Sequence, residues 1–352
     1  MDNLTHALAG ALVARATAPR NPGPETLPLG RRMVVGAIAA NLPDLDILAS
    51  YLSPLSYLYH HRGVSHSLLL LPMWAVLTAA VCALVWRGKP GWRAYLAVAT
   101  WAIASHIVLD VITSFGTMVF APFSDARVAL SATFIIDLWV TGIILVALAA
   151  SLLWRRSRTP AMAGLAAVTV YVGLQFGLQQ RAVQFGEDYA RAEGLQQATV
   201  TALPRPVTPF NWTVIVAEET RYRSAHVNRI RKTAPAEPYG ASGFIETLDA
   251  AYWPLADAQW KIAERYGNRP EETAFAREAF GQPAFRFFRW FAAYPVVRHV
   301  EATADTRCVW FHDLRFVNPG RSETPFLYGM CREGTGAWQP FQLVGDDRKP
   351  VY

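Results

Sequence analysis

Histidines and aspartates with the spacing of metal ligands recur near the ends of apolar segments in this sequence. The stretch His60–His66 reads His-His-Arg-Gly-Val-Ser-His and stands directly before an apolar run. His106 and Asp110 are four residues apart, which places an imidazole and a carboxylate on one face of a helix. Asp44 and Asp46 follow a helix-breaking proline and offer two carboxylates from an irregular turn. Nitrogen and oxygen donors of these kinds suit zinc, and also manganese or iron.

Further residues extend this candidate metal site. His6 stands near the start of the first apolar segment, and Asp137 is either a ligand or a carboxylate that orients a histidine. The sequence does not decide between His60 and His61, and we take His61 as the ligand. The predicted metal ligands are therefore His6, Asp44, Asp46, His61, His66, His106 and Asp110. Because this set exceeds one tetrahedral site, one or two divalent ions are expected.

These groups would support the hydrolysis of a phosphate ester. A pair of metal ions clamps the oxygens of such an ester during in-line displacement, with a metal-bound hydroxide as the attacking group. Arg62 offers a planar donor fork to the phosphoryl group, and a carboxylate that the metal does not use, such as Asp137, can act as general base. Each residue alone has a plainer interpretation, because a single histidine in an apolar helix is commonly a hydrogen-bonded packing residue.

The candidate ligands depend on apolar segments that would cross a membrane. Hydrophobic residues make up 52% of the 352 residues, and charged residues make up 17%. Apolar segments are predicted at Leu4–Ala18, Met33–Leu52, Ser67–Trp86, Ala94–Phe115, Val128–Trp154 and Ala161–Leu178. A span needs about 20 apolar residues, and an ionisable residue inside one marks a functional site. The expected fold is a mostly α membrane protein with about six transmembrane helices in residues 1–183, followed by a soluble α+β domain in residues 184–352.

Basic residues between the segments predict the orientation in the membrane. They cluster in the loops 20–32, 87–93 and 155–158, and the positive-inside rule places such loops in the cytoplasm. The candidate ligands and the C-terminal domain then lie on the opposite side, which is the periplasm for a bacterial inner-membrane protein. The net charge of +6 is explained by this topology, so no nucleic-acid partner is expected.

The soluble half combines predicted strands with predicted helices. Strands are expected at Gln197–Leu203, Trp212–Glu218, Tyr222–Ile230, Val296–Thr303, Arg307–Val317 and Thr324–Arg332, and helices at Ile245–Tyr266 and Glu271–Phe280. A hairpin turn at Asn318–Arg321 would place Cys308 opposite Cys331, as either a disulfide or two buried thiols. The aromatic and basic run Phe285–Phe291 is either an amphipathic segment on the membrane surface or part of a core.

These pieces together resemble the YdjM-type inner-membrane metal-dependent hydrolases, a family described as LexA-regulated hydrolases. The matching pieces are Thr5-His6 with Gly10, Pro43–Asp46, His61–Ser67, Ser105-His106 with Asp110 and Gly116, and Asp137. Their order and spacing agree over about residues 1–150, whereas residues 185–352 fall outside the resemblance. The family is distantly similar to zinc-dependent phospholipase C, and this similarity implies phosphodiesterase-like chemistry.

The favoured function is a membrane-embedded, metal-dependent hydrolase that acts on a membrane lipid or a lipid-linked phosphate ester. Two other classes of protein would use the same residues. An ion or metal transporter needs a polar path across the whole membrane, whereas these polar residues stop on one side. A non-catalytic membrane scaffold would tolerate replacement of the ligands. The sequence names neither the substrate nor the oligomeric state.

Overall fold

The computed structural model describes residues 1–87, 90–234, 243–303, 305–321 and 324–352. The chain divides into two compact units. A helical unit contains Met1–Ala49 and Tyr59–Gly177, and a β-rich unit contains Ser50–Leu58 and Leu178–Tyr352. The basic loop predicted at 87–93 lies partly outside the described residues, at positions 88 and 89.

The N-terminal part of the chain folds into helices joined by short turns. Its helices are α1 (Asn3–Ala16), α2 (Leu29–Asn41), α3 (Pro54–His60), α4 (Leu71–Val85), α5 (Arg93–Val111), α6 (Leu138–Leu153) and α7 (Thr159–Ala192), with 3₁₀ turns at Pro43–Tyr51 and Val64–His66. Asp2 caps α1, because its carboxylate accepts the Thr5 N–H at 3.0 Å. Both 3₁₀ turns carry candidate ligands, so irregular backbone presents them.

Helices α1 and α2 cross at two glycines. A Cβ on Gly10 would collide with the carbonyl group of Gly36, and a Cβ on Gly36 would collide with that of Gly10. Small residues of this kind let helices approach closely. The crossing holds the start of α1, with His6, beside the end of α2, which leads into the turn that carries Asp44.

The expectation of six continuous spans is not supported. Among the described residues, Arg93–Val111 and Thr159–Ala192 are long and apolar enough to cross a membrane. The number rises to at most four if each bent pair is one span, namely Leu29–Asn41 with Pro43–Tyr51 (44°) and Pro54–His66 with Leu71–Val85 (83°). Helix α1 has 14 residues and α6 has 16, which is short of the roughly 20 that a span needs. Polar turns therefore interrupt the apolar segments at the candidate ligands.

The β-rich unit contains two sheets. The first comprises β1 (Thr199–Pro204), β2 (Asn211–Ala217), β3 (Arg221–Asn228), β4 (Trp253–Pro254) and β5 (Trp260–Glu264); β3 pairs with β2 and β5 antiparallel and with β4 parallel. The second is an antiparallel meander of β6 (Pro295–Ala302), β7 (Thr306–Asp313), β8 (Leu327–Glu333), β9 (Gln339–Val344) and β10 (Asp347–Pro350). Helices α8 (Phe244–Ala250), α9 (Pro270–Gly281) and α10 (Arg286–Phe291) complete the unit. The region beyond α7 is thus a soluble-looking domain of β-sheets.

One prediction for this unit needs correction, and one pair of alternatives is decided. The helix expected at Ile245–Tyr266 is wrong beyond Ala250, because Trp260–Glu264 pairs with β3 and forms a strand. For the run Phe285–Phe291, the burial favours the core over an amphipathic surface segment. Its four phenylalanines are buried, and Phe285 packs against Phe311 of β7 with ring centroids 5.5 Å apart. The run is therefore part of the core.

The predicted hairpin register is confirmed. Cys308 pairs with Cys331 across β7 and β8, and the two sulfurs form a disulfide. Cys308 and Cys331 are buried beside Trp310. The bond therefore joins two strands inside the core of the second sheet.

Candidate metal centre

Three backbone segments bring the candidate ligands together. The 3₁₀ turn after α2 carries Asp44 and Asp46, because Pro43 ends the regular helix there. The turn that ends at His66 supplies the second segment, and α5 supplies His106 and Asp110 from one face. These side chains meet although up to 66 positions separate them in the chain.

Four of them surround one buried point and form the inner group, which consists of Asp44, His66, His106 and Asp110. His66 Nε2 lies 2.9 Å from His106 Nε2, 3.4 Å from Asp44 Oδ1 and 3.2 Å from Asp110 Oδ2. His106 Nε2 lies 3.6 Å from Asp44 Oδ1 and 3.5 Å from Asp110 Oδ2. Ligands that surround a tetrahedral zinc ion at about 2.0–2.1 Å are about 3.3 Å apart. The inner group therefore fits one such cation.

The hydrogen bonds on the far side of each ring fix which nitrogen faces this point. His106 Nδ1 lies 2.6 Å from the carbonyl oxygen of Ala40, which can only accept, so Nδ1 carries the proton. His66 Nδ1 donates to Ser65 Oγ at 2.9 Å, and the Ser65 hydroxyl donates to Asp46 Oδ2 at 2.6 Å. Both Nε2 atoms are then left as acceptors. Such outer hydrogen bonds are the usual support of metal-binding histidines.

A second set of donors, the outer group, consists of Asp44, Asp46 and His61. His61 Nδ1 lies 2.7 Å from Asp46 Oδ1, and the N–H of Arg62 donates to Asp46 Oδ2 at 3.0 Å. The side chains of His61 and Asp46 are 13% and 9% exposed, whereas His66, His106 and Asp110 are fully buried. The outer group shares Asp44 with the inner one and lies closer to solvent.

His6 and Arg62 contact Asp110 and belong to neither group. His6 Nε2 lies 3.3 Å from Asp110 Oδ1, and its ring stacks on that of His106 with centroids 3.7 Å apart. Arg62 Nη2 lies 3.0 Å from the same oxygen, and its Nη1 donates to Thr113 Oγ1 at 2.9 Å. The amino group of Met1 also contacts Asp110. Asp110 is thus held at Oδ1, while Oδ2 is buried without a hydrogen-bond donor among the described residues.

The backbone of Arg62 adopts an uncommon conformation. Its φ is +62°, in the left-handed region that non-glycine residues seldom occupy. Asp46 accepts its N–H, and its carbonyl group accepts the N–H of Met118 at 2.8 Å. The side chain is 2% exposed. Strain of this kind persists only where the surroundings enforce it, and it clusters at functional sites.

Asp137 is not brought into either group. Its Oδ1 accepts the N–H groups of Trp139 and Val140, which makes it the N-cap of α6. The Tyr171 hydroxyl donates to Oδ2 at 3.0 Å, and Gln175 donates to that hydroxyl. These contacts give Asp137 a structural role as a helix cap, and its role as general base stays a prediction. Three histidines of the β-rich unit, His226, His299 and His312, also lie outside both donor groups.

Sequence reasoning missed several partners of the ligands. The carbonyl oxygen of Ala40 orients His106 but carries no residue-type signal. Ser65 and Thr113 are recognisable only as hydroxyls close to the ligands in the chain. Tyr171 contacts Asp137, and Gln175 contacts Tyr171, from a helix that the sequence shows only as an uncharged span.

Comparison with known proteins places the helical part of the chain in a family. The sequence model of the YdjM inner membrane protein family matches residues 1–182, which is more than half of the chain. The uncharacterized protein YfhP of Bacillus subtilis (strain 168) is 27% identical over 177 residues, covering 49% of this chain and 52% of YfhP. The chain thus spans about half the length of that relative. No solved structure matches it significantly. The chain belongs to the YdjM inner membrane protein family.

Proposed function

We propose that this protein is a membrane-embedded, metal-dependent hydrolase that cleaves a phosphate ester of a membrane lipid or a lipid-linked molecule. The observation that carries the proposal is the inner group, in which four donor atoms of His66, His106, Asp44 and Asp110 surround one buried point. Two buried acids and two imidazoles are costly to maintain in an apolar unit unless they serve a function. Membership of the YdjM family supports a membrane location.

Zinc, manganese or iron would suit this mixed nitrogen and oxygen donor set. When bound, such an ion polarises phosphoryl oxygens and makes water a stronger nucleophile near neutral pH. The protein's own contribution is orientation. Ser65 and Ala40 fix the ligating nitrogens of His66 and His106, and Arg62 holds Asp110. Arg62 is engaged with Asp110, so we assign it to ligand positioning and charge balance in place of a free phosphate clamp.

The surroundings of the ligand turn support an amphiphilic substrate. Leu45, Ile47 and Leu48 alternate with the ligands in the 3₁₀ turn Pro43–Tyr51, and each is about half exposed (49–57%). In a protein surrounded by water, these side chains would form an exposed apolar patch that is unfavourable in free energy. In a membrane, lipid acyl chains can pack against them. A substrate with its phosphate at the ligands and its chain against these residues would match both environments.

The C-terminal unit is proposed to lie in the periplasm, with a multi-pass helical unit in the inner membrane. The Cys308–Cys331 disulfide supports this location, because disulfides persist in oxidising compartments. The lipid partner and the compartment are both part of the proposal.

A hydrolysis assay on detergent-purified, metal-loaded protein tests the proposed function. The probes are bis(p-nitrophenyl) phosphate and mixed micelles of a defined phospholipid, with released product as the readout. Wild-type protein should turn over at least one of them, and His106→Ala should abolish turnover while the secondary structure is retained. A metal-loaded wild type that hydrolyses neither probe nor other lipid phosphates in mixed micelles would contradict the proposal.

A further inference from the structure

We propose that the centre holds two divalent cations of different character that share the Asp44 carboxylate. The proposal rests on the proposed function and divides its metal site into two parts. The inner group and the outer group each keep their donor atoms within 4.8 Å of one another, and Asp44 belongs to both. A carboxylate has two oxygens and is able to bridge two ions.

The inner ion has a closed environment. Four protein donors complete a tetrahedral shell, which is typical of structural rather than catalytic sites. The side chains of His66, His106 and Asp110 are fully buried, and His6 and Arg62 pack directly against Asp110. An ion held there would exchange slowly, and a substrate would reach it only if its shell expanded to five ligands.

The outer ion has an open environment. Asp44, Asp46 and His61 supply three donors, and three-ligand sites keep a position for water or substrate. His61 and Asp46 are partly exposed, and the apolar side chain of Leu45 lies between the two aspartates in the chain. The outer site is therefore the one that a phosphoryl oxygen would reach.

Charge balance gives the outer ion a role in substrate selection. The two groups contain three carboxylates, of Asp44, Asp46 and Asp110. The Arg62 guanidinium and the Met1 amino group both contact Asp110. A first divalent cation offsets the remaining negative charge, and a second leaves the centre with a positive excess. In a buried, weakly screened site that excess favours an anionic phosphate group.

The competing assignment is that Asp46 only positions the histidines. Its Oδ1 contacts His61 Nδ1, and its Oδ2 accepts from Ser65 and from the backbone of Arg62. A positioning residue alters the affinity for an ion but not the number of ions bound. The number of ions therefore separates the two assignments.

The test uses the full-length protein in detergent, stripped with a chelator and reloaded with Zn²⁺ alone. Bound zinc is counted by elemental analysis, and its release into a colorimetric chelator is followed in time. Wild-type protein should bind about two equivalents, one released at least about tenfold faster than the other. His61→Ala and Asp46→Asn should each keep about one equivalent, the slow one. His60→Ala is the matched control, since His60 is exposed and belongs to neither group, and it should keep both.

Three results would overturn the division into two sites. The first is a wild type that binds one equivalent of zinc, with the same amount retained in His61→Ala. The second is a wild type whose two equivalents are released at equal rates. The third is an Asp46→Asn variant that still binds two equivalents, each with lower affinity. Each of them leaves the proposed metal-dependent hydrolase intact. A wild type that binds no zinc in this test, and no manganese or iron when each is supplied in its place, would instead remove the proposed function itself.

Discussion

His66 Nε2 and His106 Nε2 face each other at 2.9 Å, and in each ring the other nitrogen already donates a hydrogen bond. Two lone pairs at this distance repel unless a cation lies between them. A proton could serve, but the carboxylate oxygens of Asp44 and Asp110 lie within 3.6 Å of the same two nitrogens. That arrangement of four donors favours a metal ion over a proton.

Replacing Ser65 should weaken metal binding without removing a ligand. The Ser65→Ala variant loses the hydroxyl that links His66 Nδ1 to Asp46, so the orientation of the imidazole is less fixed. Loss of such an outer partner typically costs 10–100-fold in metal affinity. Chelator competition on detergent-purified protein measures the change. Ser105→Ala is the control, since Ser105 adjoins His106 but donates to the helix carbonyl of Ala102; equal losses in both variants would argue against the assigned role of Ser65.

Replacing Asp137 should lower stability and leave the metal content unchanged. Asp137→Ala removes the N-cap of α6 and the acceptor of the Tyr171 hydroxyl, and the loss of a cap costs about 1 kcal/mol. Asp137→Asn keeps a capping oxygen and should lose less. Thermal unfolding in detergent gives the stability, and elemental analysis gives the metal. If the folded Asp137→Ala protein lost its metal, Asp137 would belong to the centre after all.

The disulfide should stabilise the β-rich unit and have no effect on the metal centre of the helical unit. It closes a loop with a sequence separation of 23, for which chain entropy predicts about 3 kcal/mol. The double substitution Cys308→Ser and Cys331→Ser should lower the unfolding temperature of this unit, followed by tryptophan fluorescence, and leave zinc binding intact. An unfolding temperature equal to that of the wild type would show that the disulfide adds no stability.

The β-rich unit should lose stability as the pH falls below about 6.5. Burial, with the Arg205 guanidinium nearby, lowers the pKa of His226 to about 3. Arg205 donates to the Thr213 hydroxyl, and that hydroxyl shares a hydrogen bond with His226 Nδ1 at 2.8 Å, so the Arg205 charge lies close to the ring. In the unfolded chain this histidine has its usual pKa near 6.5 and takes up a proton between pH 6.5 and 3 that the folded state refuses.

Unfolding measurements between pH 7 and pH 4 check this expectation. The wild type should become less stable toward pH 4, and His226→Gln should show a shallower decline. His299→Gln is the control, because His299 is 40% exposed and bonded to Glu301. The assignment would be contradicted if His226→Gln and the wild type declined with the same slope.

The clustering of the candidate ligands was predictable because their signals are local. The four-residue spacing of His106 and Asp110 fixes their common face on α5, and Pro43 predicts the break that presents Asp44. The hairpin turn at Asn318–Arg321 likewise predicted the register of β7 and β8, in which Cys308 pairs with Cys331. In each case the determining residues are close together in the chain.

Features that depend on distant partners were not predictable. In the sequence, Asp137 resembles an active-site acid. The structure shows that its carboxylate accepts a hydrogen bond from the Tyr171 hydroxyl, 34 positions away in sequence. Trp260–Glu264 forms a strand because its backbone pairs antiparallel with β3. The six expected spans reduce to two to four because composition alone does not show where polar turns divide an apolar run.

Metal content of the purified protein tests the central claim most directly. Wild-type protein, His106→Ala, Asp110→Ala and the control His299→Gln are prepared in detergent and measured by elemental analysis after resupply with zinc, manganese and iron. We expect at least about one equivalent in the wild type and in the control, and a loss of the inner ion in both ligand variants. A well-folded wild type that binds none of these metals, or ligand variants that retain the full amount, would contradict the assignment of His66, His106, Asp44 and Asp110 as a metal centre.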